Sequence, residues 1–125
     1  MTYKSQLGKF GENTACQHLI KKGYKILERN FRKPWGELDI IAKAPDKTLV
    51  FIEVKAVSGV NGNLNGIQPE EQLTKTKLRK FRRTASLYAG HLPEKIDDEK
   101  GWRIDLLALT ITPKDCLINH YENIC

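Results

Sequence analysis

The sequence predicts a mixed α/β domain, with one β-sheet and helices flanking it. Three observations lead there. Two blocks with apolar residues at helical spacing, 3–22 and 69–89, bracket a run of short apolar segments. Those segments, about 24–32, 37–43 and 48–57, are divided by turn residues, and two more follow at about 102–111 and 115–121. A length of 125 residues suits one domain, taken as residues 1–125. The expected order is therefore α-β-β-β-α-β-β.

In the first helix Leu7, Phe10, Gly11, Thr14, Ala15, His18 and Leu19 fall near one face. Gly23 stands at the usual C-terminal stop, with Lys21 and Lys22 in the last turn. The first strand carries Tyr24, Ile26, Leu27 and Phe31, and Pro34 with Trp35-Gly36 makes the next turn. Pro45-Asp46-Lys47 returns strand 37–43 into strand 48–57 as a hairpin. Ser58 to Gly66 is polar and glycine-rich, and reads as a loop. Pro69 suits the first turn of the second helix, whose buried side would be Leu73, Leu78, Phe81, Ala85 and Tyr88. Residues 91–101 read as a charged loop.

Composition narrows the partners. With 40% hydrophobic and 29% charged residues the chain is typical of soluble globular proteins. Its 21 Lys+Arg against 15 Asp+Glu leave a net charge of +6, which favours a polyanion such as nucleic acid. Cys16, Cys116 and Cys125 are odd in number and form no C-x-x-C pair, which argues against a disulfide framework or a structural zinc site. Reduced thiols suggest the cytoplasm. Met1 to Lys9 lacks the apolar core of a signal peptide, and no apolar run approaches the ~20 residues that span a bilayer.

Asp39, Glu53 and Lys55 interrupt strands otherwise apolar enough to be buried on both faces, where charges are rare. Residues two apart on a strand share a face, so Glu53 and Lys55 point together, as do Glu37, Asp39 and Ile41. A hairpin centred on Asp46 sets Asp39 opposite Glu53 and Glu37 opposite Lys55. Directly opposed carboxylates conflict. They can share a proton, with one pKa raised, or bind a divalent cation such as Mg²⁺ through hard oxygen ligands. A lysine beside them fits phosphoryl chemistry, where it can orient a water or meet developing charge. The plainer alternative is that Lys55 only pairs with Glu37.

Asp39, followed fourteen residues later by Glu53-Val54-Lys55, resembles the PD-(D/E)XK nuclease motif. The ordered series Lys9-Phe10-Gly11-Glu12, Lys22 through Asn30, Gly36 through Ala42 and Val50 through Lys55 resembles the YraN-like family. That bacterial group is related to the archaeal Holliday-junction resolvases. The resemblance runs on through Lys77 and Arg103-Ile104-Asp105, over roughly residues 8–110. It implies a restriction-endonuclease-like fold with an αβββαβ core and a mixed central sheet. It implies that Asp39 and Glu53 ligate Mg²⁺ or Mn²⁺, with the Val54 carbonyl as a third contact. Lys55 would be the catalytic lysine and Glu12 an additional catalytic acid. Family members commonly carry Thr-Arg after that lysine, where this chain has Ala56-Val57. Pro34-Trp35 likewise replaces the usual small or basic residues.

Lys75, Lys77, Arg79, Lys80, Arg82 and Arg83 place six cations in nine residues, with no acid from Thr74 to Gly90. On a helical wheel they lie away from Leu78, Phe81 and Ala85. Such a face suits a phosphate backbone, and membrane binding is disfavoured because the opposite face is needed for the core. Lys21, Lys22, Lys25, Arg29, Arg32 and Lys33 form a weaker cluster. His18, His91 and His120 lack ligand spacing, and lone Trp35 and Trp102 suit turn or core packing better than base stacking. The expected function is metal-dependent hydrolysis of phosphodiester bonds in DNA. Branched DNA follows only by analogy with the resolvases, and RNA stays open as a partner. Two symmetric cuts would suit a homodimer, though no residue demands one. The rival is a nucleic-acid-binding protein of the same fold without turnover.

Overall fold

The computed structural model describes residues 3–58 and 74–124. The elements are α1 (Tyr3–Lys21), β1 (Lys25–Lys33), β2 (Gly36–Lys43), β3 (Leu49–Ser58), α2 (Lys75–His91), a short 3₁₀ turn (Pro93–Lys95), β4 (Trp102–Ile111) and β5 (Cys116–Tyr121). The strands form one mixed sheet in the order β1-β2-β3-β4-β5. Among the described strands only β3 and β4 run parallel, and α2 lies between them in sequence. The chain is thus of the α/β class, with the expected element order. No helix among the described residues is long and apolar enough to cross a membrane.

Helices cover both faces of the sheet. Ala15, Cys16 and Leu19 of α1 pack on Ile40, Ala42, Val50, Ile52, Leu107 and Leu109. Phe81, Ala85, Tyr88 and Ala89 of α2 pack on Leu38, Ile41, Leu49, Phe51 and Ile104. Central strands buried on both sides explain their near-continuous apolar runs. Gly11 lets α1 come close to β3, since a Cβ there would stand 2.9 Å from Ala56 Cβ. Gly36 lets the β1–β2 turn seat on α2, since a Cβ there would meet Thr84 Oγ1 at 2.0 Å.

Several expectations need correction. Phe10 is not on the buried side of α1; it is 52% exposed. Within the described residues helix α2 begins at Lys75, capped by Thr74, whose side chain accepts a hydrogen bond from the Lys77 N–H; the expected start at 69 lies outside them. Pro69, Leu73, the Leu7 side chain and the expected loop beyond Ser58 lie outside the described residues. The β2–β3 hairpin turns as expected: Asp46 accepts from the Thr48 N–H at 3.0 Å, and Lys47 takes a left-handed φ of 79°.

Candidate metal centre and nucleic-acid interface

The β2–β3 ladder runs from Lys43↔Leu49 to Ile40↔Ile52, the register expected from a hairpin centred on Asp46. Beyond Ile40 the strands are joined differently. Asp39 accepts a hydrogen bond from the Val54 N–H at 2.8 Å through its side chain, in place of backbone pairing. In a strand the N–H and C=O of one residue point to the same side, so the Val54 carbonyl faces this edge too.

Alternation breaks where Asp39 sits. Leu38 and Ile41 both enter the α2-side core, whereas Ile40 enters the α1-side core. The same switch occurs on β1, where Arg29 reaches Glu12 of α1 while Phe31 packs edge-on against Tyr88 of α2. Asn30 lies between them with a φ of 52°, and the pairs Arg29↔Ile40 and Phe31↔Leu38 set it opposite Asp39. A left-handed residue inside a strand re-aims its neighbours, and asparagine tolerates that conformation better than most residues. This kink overturns the expected shared face of Glu37, Asp39 and Ile41. It also overturns the expected Glu37–Lys55 opposition: Glu37 pairs with Arg32 at 2.8 Å on the exposed β1 edge. Asn30→Gly should keep the geometry. Asn30→Val should lower the melting temperature and blunt any metal-dependent property of Asp39 roughly tenfold, a contrast readable by calorimetry and metal titration.

Asp39 is the hub of the acidic group. Burial, the Glu53 charge and a hydrogen bond shared with the Glu53 carboxyl push its pKa up to about 7, against the opposing pull of the Val54 N–H and Lys55. Glu53 and Lys55 point together as expected, with Lys55 Nζ 3.1 Å from Glu53 Oε1. Glu12 projects from α1 one residue beyond the close approach at Gly11, its side chain only 14% exposed. Burial raises the Glu12 carboxyl, the Arg29 guanidinium 3.4 Å away lowers it, and the nearby Asp39 charge raises it. Asp39, Glu53 and Lys55 thus meet where the β2–β3 ladder opens, with the Val54 N–H bonded to Asp39 and Glu12 acting on Asp39 from longer range. Their hard oxygens, and a proton held between two carboxyls, fit a divalent cation that would take that proton's place.

Sequence reasoning missed Arg29 as part of this group. It hydrogen-bonds both Glu12 and Asn13. The weaker basic cluster it was read with does not form one surface: Arg32 is spent on Glu37, Lys22 on His120 and Lys33 on the Phe31 ring. On α2, by contrast, Lys75, Lys77, Arg79, Lys80, Arg82 and Arg83 are all exposed on a helix that contains no acid.

A second polar group lies on the α1 side of the sheet. Fully buried Asp105 accepts from Arg103 Nε at 3.0 Å, His120 Nε2 at 2.8 Å and the Asn123 N–H at 2.9 Å. Arg103 also donates to the Tyr24 hydroxyl, and Lys22 Nζ lies 2.9 Å from His120 Nδ1. Histidines that looked unrelated in sequence meet here, with the His18 and His120 rings 6.4 Å apart. Asp105, His120 and Glu122 have metal-ligand chemistry in common. Arg103, however, fills the space, forking to both Asp105 oxygens. Lys22 occupies His120 Nδ1, so Nε2 carries the proton that Asp105 accepts. The group is a satisfied structural knot.

Comparison with known proteins finds a family profile described as "Uncharacterised protein family UPF0102" matching residues 11–109. A UPF0102 protein of Corynebacterium efficiens is 36% identical over 127 aligned positions, spanning 98% of this chain and 94% of its own. One of Campylobacter concisus is 42% identical across 82% of this chain and 81% of its own. Among solved structures, SfsA of Pyrococcus furiosus in complex with Ca²⁺ aligns with 95% of this chain at 16% identity. The chain spans 63% of that structure's length with a TM-score of 0.37, a likeness too loose to bear on fold or chemistry.

Proposed function

We propose that this chain, which belongs to the UPF0102 family, is a metal-dependent nuclease of restriction-endonuclease-like fold that hydrolyses phosphodiester bonds in DNA. The observation that carries this reading is the Asp39–Glu53 carboxyl pair at the open end of the β2–β3 ladder, with Lys55 3.1 Å from Glu53. An α-β-β-β-α-β order with helices on both faces of a mixed sheet supports the fold. Asp39, Glu53 and the Val54 carbonyl would hold Mg²⁺ or Mn²⁺, which when bound supplies Lewis-acid polarisation of the scissile phosphate. Lys55, released from its ion pair with Glu53, orients the attacking water and meets charge growing on the phosphoryl oxygens. Glu12 would serve as the additional acid near Asp39 and also holds Arg29, whose guanidinium would stand in for the arginine that Val57 replaces. Water adds to phosphorus and gives up a proton to solvent, the ester P–O bond breaks, and the departing oxygen takes a proton back from solvent.

The exposed cations of α2 would hold the rest of the backbone. Binding through them is independent of sequence and falls steeply with salt. Lys80→Ala with Arg83→Ala should weaken DNA binding uniformly across sequences and reduce the salt slope by about two, as a salt titration would read.

The test of the function is cleavage of single-stranded, duplex, flap and four-way DNA with Mg²⁺ or Mn²⁺. Products that disappear on chelation and in Lys55→Ala support the reading. Activity that persists in Lys55→Ala, or salt-sensitive binding without products under any metal, replaces it with a non-catalytic DNA-binding protein.

A further inference from the structure

We infer that Trp35 is a base-stacking platform, so that the DNA taken by this chain presents unpaired bases next to the bond it cuts. The inference rests on the DNA-binding reading above and adds the class of substrate. Trp35 was expected to serve turn packing. It does pack in the β1–β2 turn, against Phe31 and His91, and still leaves 39% of its surface exposed. Trp102 behaves as a core tryptophan, edge-on to Phe51 at 5.4 Å.

The platform is built and rigid. The His91 ring lies nearly parallel to Trp35, 21° apart in plane with centroids 5.9 Å apart. His91 is itself fixed, its Nδ1 donating to the Leu87 carbonyl at 2.7 Å. The Phe31 ring supports Trp35 from β1 at 5.5 Å. The hairpin tip cannot drift, because Gly36 is seated against Thr84 with no room for a Cβ. Thr84 itself is buried on the core side of α2, its hydroxyl donating to the Lys80 carbonyl, and it directly follows exposed Arg83 in the chain. Lys33 lies 5.9 Å from the Phe31 ring. Exposed Trp35 and His91 with a lysine close to their support are a combination that suits single strands, since every base offers a π-face and every phosphate a charge.

Paired bases cannot use it. In a duplex both faces of each base are already stacked, and only an unpaired base has one to give. Trp35 directly precedes β2 and is four residues from Asp39, at most roughly 13 Å along an extended chain. A base held there therefore belongs to the same stretch of strand as a phosphate at the acidic edge.

The experiment is fluorescence anisotropy in chelator, where no cleavage occurs, with a labelled single strand and the same sequence as a blunt duplex. Trp35→Ala should weaken single-strand binding about tenfold, leave duplex binding within about twofold, and be rescued by Trp35→Phe. In a Trp102→Phe background, where Trp35 is the one remaining tryptophan, the single strand should quench emission and the duplex should not. Equal loss on both DNAs, no loss on either, or absence of quenching overturns the inference. Because nothing is cut, the outcome is independent of whether the chain is a nuclease.

Discussion

Asp39→Asn should stabilise the metal-free protein at pH 8 while abolishing cleavage. The two effects share one cause. In the folded protein the Asp39 carboxyl titrates at about 7, because it is buried and shares a proton with Glu53. In the unfolded chain it titrates near 4. Between those values the native state binds the extra proton, so the contribution of this group to stability falls as pH rises from about 4 to about 7 and stays low above. Asparagine mimics the protonated carboxyl, still accepts from the Val54 N–H, and needs no proton. The gain should be near zero at pH 4 and on the order of 2 kcal/mol at pH 8, after allowance for the partial exposure of the site, or roughly 8 °C in melting temperature. A divalent cation should relieve the same conflict in the unaltered protein. Mn²⁺ should thus raise the melting temperature of the parent chain and leave the variant unmoved. Cleavage should fall by about a thousandfold or more. A variant that is neutral or less stable at pH 8, or that gains as much from Mn²⁺ as its parent, would remove Asp39 from the centre of the site.

That stored conflict accounts for the charged residues that stand out in an apolar sequence. Ile40, Ile41, Phe51 and Ile52 around them are fully buried and would form a sound sheet without them. On this account the acids weaken the fold at neutral pH and a bound cation would return that loss, the usual relation between stability and a binding site.

Most of this edge was legible because strand pairing about a tight turn is local. Asp46 bonds the Thr48 N–H and the hairpin register follows as far as Ile40↔Ile52, beyond which Asp39 reaches the Val54 N–H by its side chain instead of pairing with Glu53 through the backbone. Glu37 was misread because a period of two was carried through Asn30 and Asp39, where the backbone of β1 turns left-handed and both strands change face. One asparagine in a strand gives little warning of that, since the residue is equally at home in a turn. Phe10 was misread because helical spacing says which residues share a face, not how far the neighbouring sheet extends beneath it. Arg29 was grouped with lysines by sequence, while its role comes from α1 crossing over β1, a contact between residues 12 and 29 that no local pattern contains. The knot around Asp105 depends on still longer separations, with Tyr24 and Lys22 meeting residues after 100.

Asp105→Ala should be among the most destabilising changes in the chain. Burial alone would raise the Asp105 carboxyl, but the hydrogen bonds from His120, Arg103 and the Asn123 N–H together outweigh it and hold the group below the usual carboxylate range. Removing the acceptor leaves a partly buried guanidinium without its fork, an imidazole N–H without an acceptor and an orphaned backbone N–H, at a cost of about 3 kcal/mol or more. The loss should appear as a fall in the urea midpoint at pH 7. A carboxylate held low contributes its stability above the unfolded pKa and loses it as pH falls through the folded value. The gap between parent and variant should therefore be full at pH 6–8 and narrow below about pH 4. Asn123 and His120 tie the end of β5 to this carboxylate, so amide exchange in β5 should quicken more than in β2. The acidic edge at Asp39 is built by other strands. The Mn²⁺-dependent rise in melting temperature should survive in Asp105→Ala, displaced to lower temperature but similar in size. Were the Asp105, His120 and Glu122 group the real ion site, that rise would vanish with Asp105 and persist in Asp39→Asn, the reverse of the pattern argued from Arg103 and Lys22.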